Sequence, residues 1–425
     1  MRTSFNFFFG SLLVAGVFSA EAQVYWQGPS GTAADWFEPS NWTGGVVPVG
    51  VGVQITNGGI AEVSSGTVSN CTVDAGRAAG PGMLRVSAGE MTNCTLRAGY
   101  DGSGGKIEIS GGVVSTPSWF GLRAGGVAGS TGEVVMTGGT LSPTSYLIGD
   151  WGTGSFALSN GTVTATYWQT FIGNNAGSDG TFVQSGGTNN YNGLACYIGY
   201  GAGSSGRYIL NGGTLNGSSG GIVVGVYGTG YMEMNGGTLN VPGTVYVGSN
   251  IGSDGTLVLN NFTNTFTNLQ IGPAWPYKGA KGTCIMNGGN ITNMGGGAIG
   301  SASNCVSTFI QNGGRLKRGA LTLPASDGAT GTFILSNNAA MTCGGDITIK
   351  AGGRLEIRGA DVSGGGVYMN GSDSYAEMTA GSLTVAGRFL VPNGTNAAAF
   401  YMRGGNLFRT YVANQSARAT GQCNT

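Results

Sequence analysis

Short runs of alternating apolar and polar residues recur along this chain, and they recur in phase. They are clearest beside Gly-Gly pairs, as in GRYILNGGTLN (206–216) and GYMEMNGGTLN (230–240). Aligned on the first glycine of each pair or its equivalent, the chain gives anchors at Gly111, Gly138, Asn160, Gly186, Gly212, Gly236, Asn260, Gly288, Gly313, Asn337, Gly359, Ala380 and Gly404, with weaker copies at Ser65 and Ala88. Their mean spacing is about 24 residues, a repeat size typical of stacked architectures. Four residues before the anchor stand Ile107, Val134, Phe156, Phe182, Tyr208, Met232, Phe309, Phe333, Leu355 and Phe400. Two before it stand Ile109, Met136, Leu158, Leu210, Met234, Val258, Met286, Leu335, Ile357, Met378 and Met402. The position between these columns admits Glu108, Glu233, Glu356 and Glu377. An apolar–mixed–apolar order has period two, so it predicts a strand with one buried face and the glutamates outside.

Past the anchor glycines, which turn the chain, the apolar column resumes at Val114, Leu141, Val163, Leu215, Leu239, Ile291, Leu316, Val362, Leu383 and Leu407. A third short run ends in Ile-Gly or Val-Gly, as at Ile148-Gly149, Ile172-Gly173, Ile198-Gly199 and Val247-Gly248. Each repeat therefore carries three short strands, and no helical periodicity competes with them. The expected fold is all-β: a parallel β-helix of about 14–15 coils, each stacked about 4.8 Å from the last. The expected divisions are a signal peptide at 1–22, a cap at 23–55, repeats at 56–410 and an incomplete coil or tail at 411–425. A kelch-like propeller also uses Gly-Gly pairs, but its period is about 50 residues. A disordered Gly/Ser linker would not keep apolar columns in phase.

Composition narrows the function. Glycine supplies 85 of 425 residues, yet 40% of the chain is hydrophobic, so a core is available. Nineteen basic residues balance nineteen acidic ones, which leaves no basic footprint for nucleic acid. Histidine is absent, so histidine-based acid–base catalysis, Ser-His-Asp triads and His-ligated metals are excluded. The seven cysteines are scattered without a CxxC pair, and neither a zinc site nor any cofactor is expected. Cys71 and Cys94, 23 residues apart, are expected on neighbouring coils, either as a disulfide or as two stacked thiols. Arg2, the apolar run Phe7–Val17 and the Ala20-Glu21-Ala22 site read as a secretory signal, with no membrane-spanning segment after its removal. The expected location is extracellular or on the outer surface of a bacterial cell.

Trp26, Trp36 and Trp42 crowd the start of the mature chain. They are read first as a hydrophobic plug over the open end of the stack, and second as a sugar platform. The opening formed by Trp26, Gly28, Trp36, Asn41, Trp42, Gly45 and Pro48, followed by Gly-Gly coils, resembles bacterial surface proteins with autotransporter-associated β-strand repeats, abundant in Verrucomicrobia- and Planctomycetes-like bacteria. The resemblance covers most of the mature chain. It implies export and a surface or adhesin-type role, and it brings no catalytic motif. At the C-terminus the chain departs from it, with neither barrel strands nor an apolar-plus-basic sorting tail. The chain is expected to be either a stand-alone secreted product or a piece of a longer protein.

Candidate chemistry is sparse. Asp179, Asp254 and Asp327 recur about three coils apart, hence about 14 Å, too far to share a calcium ion. They are read as turn residues. Glu356 and Glu377 are expected to stack on adjacent coils, at about the 5 Å spacing of a retaining glycosidase pair. Arg354 and Arg358 beside them point instead to a surface ion-pair cluster, so the pair is a weak catalytic candidate. The turn after the third strand carries Tyr100, Trp151, Tyr200, Tyr227, Trp275 and Tyr277 on one edge of several coils. A row of rings with polar rims suits stacking on successive sugars, or else covers the turn beneath it. The expected activity is structural or adhesive, with a polysaccharide or cell-surface glycan, or further copies of the chain, as partner. The alternatives are a polysaccharide lyase or glycoside hydrolase on a β-helix, and a passive stalk.

Overall fold

A computed structural model describes residues 23–273, 278–294, 299–391 and 398–409. The chain winds into a β-solenoid of about 15 turns with a period of about 24 residues. In one coil, Thr153–Leu158 forms the first strand, Thr162–Ala165 the second and Thr170–Ile172 the third. Each pairs in parallel with its equivalent one coil on: Phe156 with Phe182, Val163 with Asn189, Ile172 with Ile198. Stacked third strands make an 11-stranded sheet, and second strands an eight-stranded one. Further along, the corner between first and second strands straightens. There, Gly353–Gly364 and Tyr375–Val385 each run through both positions as one long strand.

The inward columns meet like on like. Val134, Phe156, Phe182, Tyr208 and Met232 follow one another in register and are all buried. The ring of Phe182 lies 4.6 Å from that of Phe156 and 4.9 Å from that of Tyr208, stacked on the latter. Phe309 and Phe333 repeat the stack at 4.7 Å. Polar residues enter the core beside these rings, Gln184, Asn189 and Gln311 among them. Gln184 accepts the Tyr208 hydroxyl at 2.5 Å, and the Asn189 amide donates to Tyr146 at 3.1 Å and Tyr208 at 3.3 Å. The Gln184 amide also donates to the Gly187 and Thr214 carbonyls at 3.3 and 3.0 Å, so both of its polar atoms are used where water does not reach, whereas Asn189 Oδ1 has no partner.

The second glycine of each anchoring Gly-Gly pair sits in the left-handed region, as at Gly187 (φ 63°) and Gly213 (φ 76°). Where the pair is reduced to one glycine, that glycine keeps the turn, as at Gly161 (φ 91°); where both are missing, asparagine takes it, a side chain that tolerates that region: Asn261 has φ 51° and Asn338 φ 62°. One expectation is corrected here. The coil anchored at Asn260 turns at Asn261, so Leu257 and Leu259 face inward and Val258 faces out. A one-residue slip exchanges the two faces of a strand, and two consecutive asparagines hid the register. Asn260 instead joins an external amide ladder, donating to Asn235 at 2.7 Å and accepting from Asn287 at 2.7 Å.

At the N-terminal end Trp26, Trp36 and Trp42 are closed to solvent, with ring centroids 4.9 and 4.7 Å apart. They plug the stack, and no face of theirs remains for a sugar. The same segment is itself the first coil: Gln23–Tyr25 pairs with Gly52–Ile55, and Ala33–Asp35 with Ile60–Glu62. Cys71 and Cys94 lie on neighbouring coils as free, buried thiols. Each donates to a carbonyl two residues back, and burial raises Cys94 to about 11.

Phe182→Ala should cost about 3–5 kcal/mol, because it opens a cavity between two fixed rings. Val113→Ala, on the exposed face, should stay within about 0.5 kcal/mol. Urea unfolding of the two variants checks this; equal losses would contradict the stacked core.

A candidate binding face on the third sheet

The third strands hold only three or four residues, of which the middle one points outward. Down the stack this outward column reads Asp74, Arg97, Arg123, Leu147, Phe171, Tyr197, Val223 and Tyr246. It begins charged and becomes apolar. In the charged part Asp74 is buried between Arg97 and Arg77, and burial raises its carboxyl against the pull of both guanidinium groups. Arg97 also lies 3.9 Å from the ring centre of Tyr100, with Arg77 at 5.5 Å on the same ring.

In the apolar part a second aromatic layer forms outside the solenoid. Phe171 lies 5.5 Å from Tyr197 and 5.1 Å from Tyr200; Tyr197 and Tyr200 are 5.2 Å apart. Tyr200 then meets Tyr227 edge-on at 6.1 Å. Of the turn rings expected on one edge, Tyr100 and Tyr200 directly follow the Ile-Gly or Ala-Gly glycine, while Trp151 and Tyr227 come one residue later. They form two offset ranks rather than a single row. Tyr100 and Tyr200 are half-buried against their neighbours; Trp151 (51%) and Tyr227 (40%) are exposed. Trp275 and Tyr277 lie outside the described residues.

The turn carrying Trp151 is held from below. Asp150 is buried and accepts from the amides of Asn174 at 2.8 Å and Asn175 at 2.9 Å, with Arg123 at 3.4 Å. Burial is the larger influence on its carboxyl and raises it.

The opposite rim of the sheet is aromatic too, which the sequence reading missed. Trp119 (59% exposed) and Tyr167 (69%) stand in the turns before the third strand, with Phe120 and Trp168 beside them. The intervening coil turns within Thr144–Ser145, and this short link lets Trp119 and Trp168, two coils apart, approach to 4.7 Å. Arg123 covers Phe120 at 4.7 Å. The signal was present as two adjacent aromatic pairs, Trp119-Phe120 and Tyr167-Trp168, each just before a third strand. Together the two rims and the strip between them make one face about 10 Å wide across the strands and about 24 Å long over six coils.

The carboxylate pair is on another face. Glu356 and Glu377 are in register on adjacent coils, alternating with inward Leu355, Ile357 and Met378. Glu356 points outward yet is buried, because Arg354 and Arg358 both close on its carboxylate. Glu377 accepts from the Tyr375 hydroxyl at 2.8 Å and from Arg403 at 2.5 Å. These bonds, the tyrosine's first, hold Glu377 below the usual glutamate range. A glycosidase acid needs the opposite shift. Among the described residues no group of three or more Cys, Asp or Glu side chains is placed to hold a metal.

Comparison with protein-family models, curated proteins and solved structures found no match for this chain.

Because the folded pKa of Glu377 is depressed, its contribution to stability is in place above the ordinary glutamate range and is lost as pH falls through the folded value. Glu377→Gln should flatten that acid limb of the stability curve. Thermal unfolding between pH 6 and about pH 3 checks it; an unchanged acid limb would contradict the assignment.

Proposed function

We propose that this protein is a secreted, non-enzymatic β-solenoid that works at or outside a bacterial cell surface as an adhesive or structural rod, gripping glycan chains with its third-sheet face. The observation that carries this reading is the concentration of rings on one face: Trp119, Tyr167, Trp151 and Tyr227 exposed, and Phe171, Tyr197 and Tyr200 packed beneath and between them. Such rings offer an apolar surface to the C–H faces of sugars and keep hydroxyl and indole N–H groups at the rim for hydrogen bonds. A glycan repeats unit by unit as the rod repeats coil by coil, so weak contacts at single coils add along several. The leader-like residues 1–22 support export. The charge-compensated glutamate pair supports a binding role over a hydrolytic one.

Trp119→Ala and Trp151→Ala should each weaken retention on a bound polysaccharide roughly threefold to tenfold, in line with the worth of one aromatic contact. The β signature in far-ultraviolet circular dichroism should not change. Neither Glu356→Gln nor Glu377→Gln should alter the release of new chain ends from a polysaccharide panel. Retention indifferent to both tryptophans, or steady release abolished by either glutamine, would overturn the reading.

A further inference from the structure

The outward faces of the strands follow a general pairing rule, although Lys350 and Arg409, each last in its strand, make no ion pair among the described residues. A cation on one coil is met by an acid on its own strand or on the next coil: Arg85 with Glu108 at 2.8 Å, Lys106 with Glu133 at 3.4 Å, Arg207 with Glu233 at 3.4 Å, Lys281 with Asp254 at 2.7 Å, and Arg403 with Glu377. Arg354 and Arg358 share Glu356 in the same way.

The strand Arg315–Arg318 breaks the rule twice. Arg315 and Lys317 point outward and are exposed, two residues apart on one face and hence about 7 Å apart along the strand. Neither makes an ion pair among the described residues. The register shows why. Arg315 has Asn290 on one side and Ala340 on the other, and Lys317 has Thr342 on the following coil. The nearest acid in the column, Asp361, is two coils from Arg315, and its carboxylate accepts from Ser382 on the far side. The small neighbours leave a cleft of about 350 Å³ lined by Asn290, Thr292, Arg315, Lys317, Ala340 and Thr342.

We propose that this cleft binds an anionic group carried on a polysaccharide, either a uronate carboxylate or a sulfate ester. Arg315 offers the planar fork that takes two oxygens of one anion, Lys317 adds a point charge, and the Asn290 amide and Thr342 hydroxyl complete a polar rim. The site is independent of the aromatic face. It lies on second-strand positions, on coils beyond those that carry the rings, and it uses charge where that face uses stacking.

The test is affinity electrophoresis of the full chain through gels containing polygalacturonate, dextran sulfate or neutral dextran. Wild-type chain should be retarded by one or both anionic polymers and not by dextran. The polymer that retards it more names the anion. Added salt should abolish the retardation, since the site is exposed and its charges are screened. Arg315→Gln with Lys317→Gln should weaken the apparent affinity roughly tenfold or more, while Val113→Ala, exposed on the rod but in neither site, should leave it unchanged; Trp119→Ala with Trp151→Ala is run beside them and should leave the salt-sensitive retardation in place. No retardation by either anionic polymer, equal retardation by dextran, or equal retardation of the glutamine variant would overturn the proposal. Loss through the tryptophan pair alone would place the anionic polymer on the aromatic face instead, and so would also overturn it.

Discussion

Parallel, in-register stacking governs this molecule. Every residue of a coil lies about 4.8 Å from its equivalent on the next, so a position must hold a side chain that tolerates a copy of itself on both sides. Aromatic and branched residues meet this condition inside, where Phe156, Phe182 and Tyr208 stack ring on ring. Glycine meets it at the corner where the third strand hands over to the next coil. A β-carbon on Gly180 or Gly206 would run into the backbone of the coil below. Stability in such an array is a sum of neighbour-to-neighbour terms rather than the property of one globular core. The open end therefore needs its own cover, which the three tryptophans provide.

The same register that builds the core arranges the outside. Asn211, Asn235, Asn260, Asn287 and Asn312 pass a hydrogen bond from coil to coil at 2.7–2.9 Å. Charges are matched across coils, and on the third sheet an outer aromatic layer replaces the charged column. A solenoid thus turns a local choice of residue into an extended stripe of one chemistry. Function in this protein is read from those stripes and from the places where they break: the aromatic face is a stripe, and the Arg315–Lys317 cleft is a break.

The inward columns were legible in the sequence because fifteen coils repeat one instruction, so a poor copy is corrected by its neighbours. Legibility failed where that redundancy failed. Asn260 and Asn261 serve equally well as a turn, and only the pairing of Leu259 with Met286 fixes which one turns. Gln184 and Asn189 sit on inward positions that patterning reserves for apolar residues, and only their contact with Tyr146 and Tyr208 explains them. Half of the candidate face was readable as turn aromatics after Ile-Gly or its equivalent. The rest was not, because Phe171 and Tyr197 occupy a column that changes from charged to aromatic along the stack. The approach of Trp119 to Trp168 depends on the short turn of the coil between them. The stacking of Glu356 on Glu377 followed from register alone, whereas the arginine lid over Glu356 depends on side-chain conformation, to which periodicity is blind.

The central claim is that the third-sheet face is where a glycan lies. Acrylamide quenching of tryptophan fluorescence, with and without a saturating polysaccharide, tests it most directly. Three tryptophans are sealed in the end plug, while Trp119 and Trp151 stand exposed on the face. A glycan on that face should shield the quenchable population and leave the sealed one as it was. Full retention of the protein on a polysaccharide with no loss of quenching would place the glycan elsewhere and contradict the account.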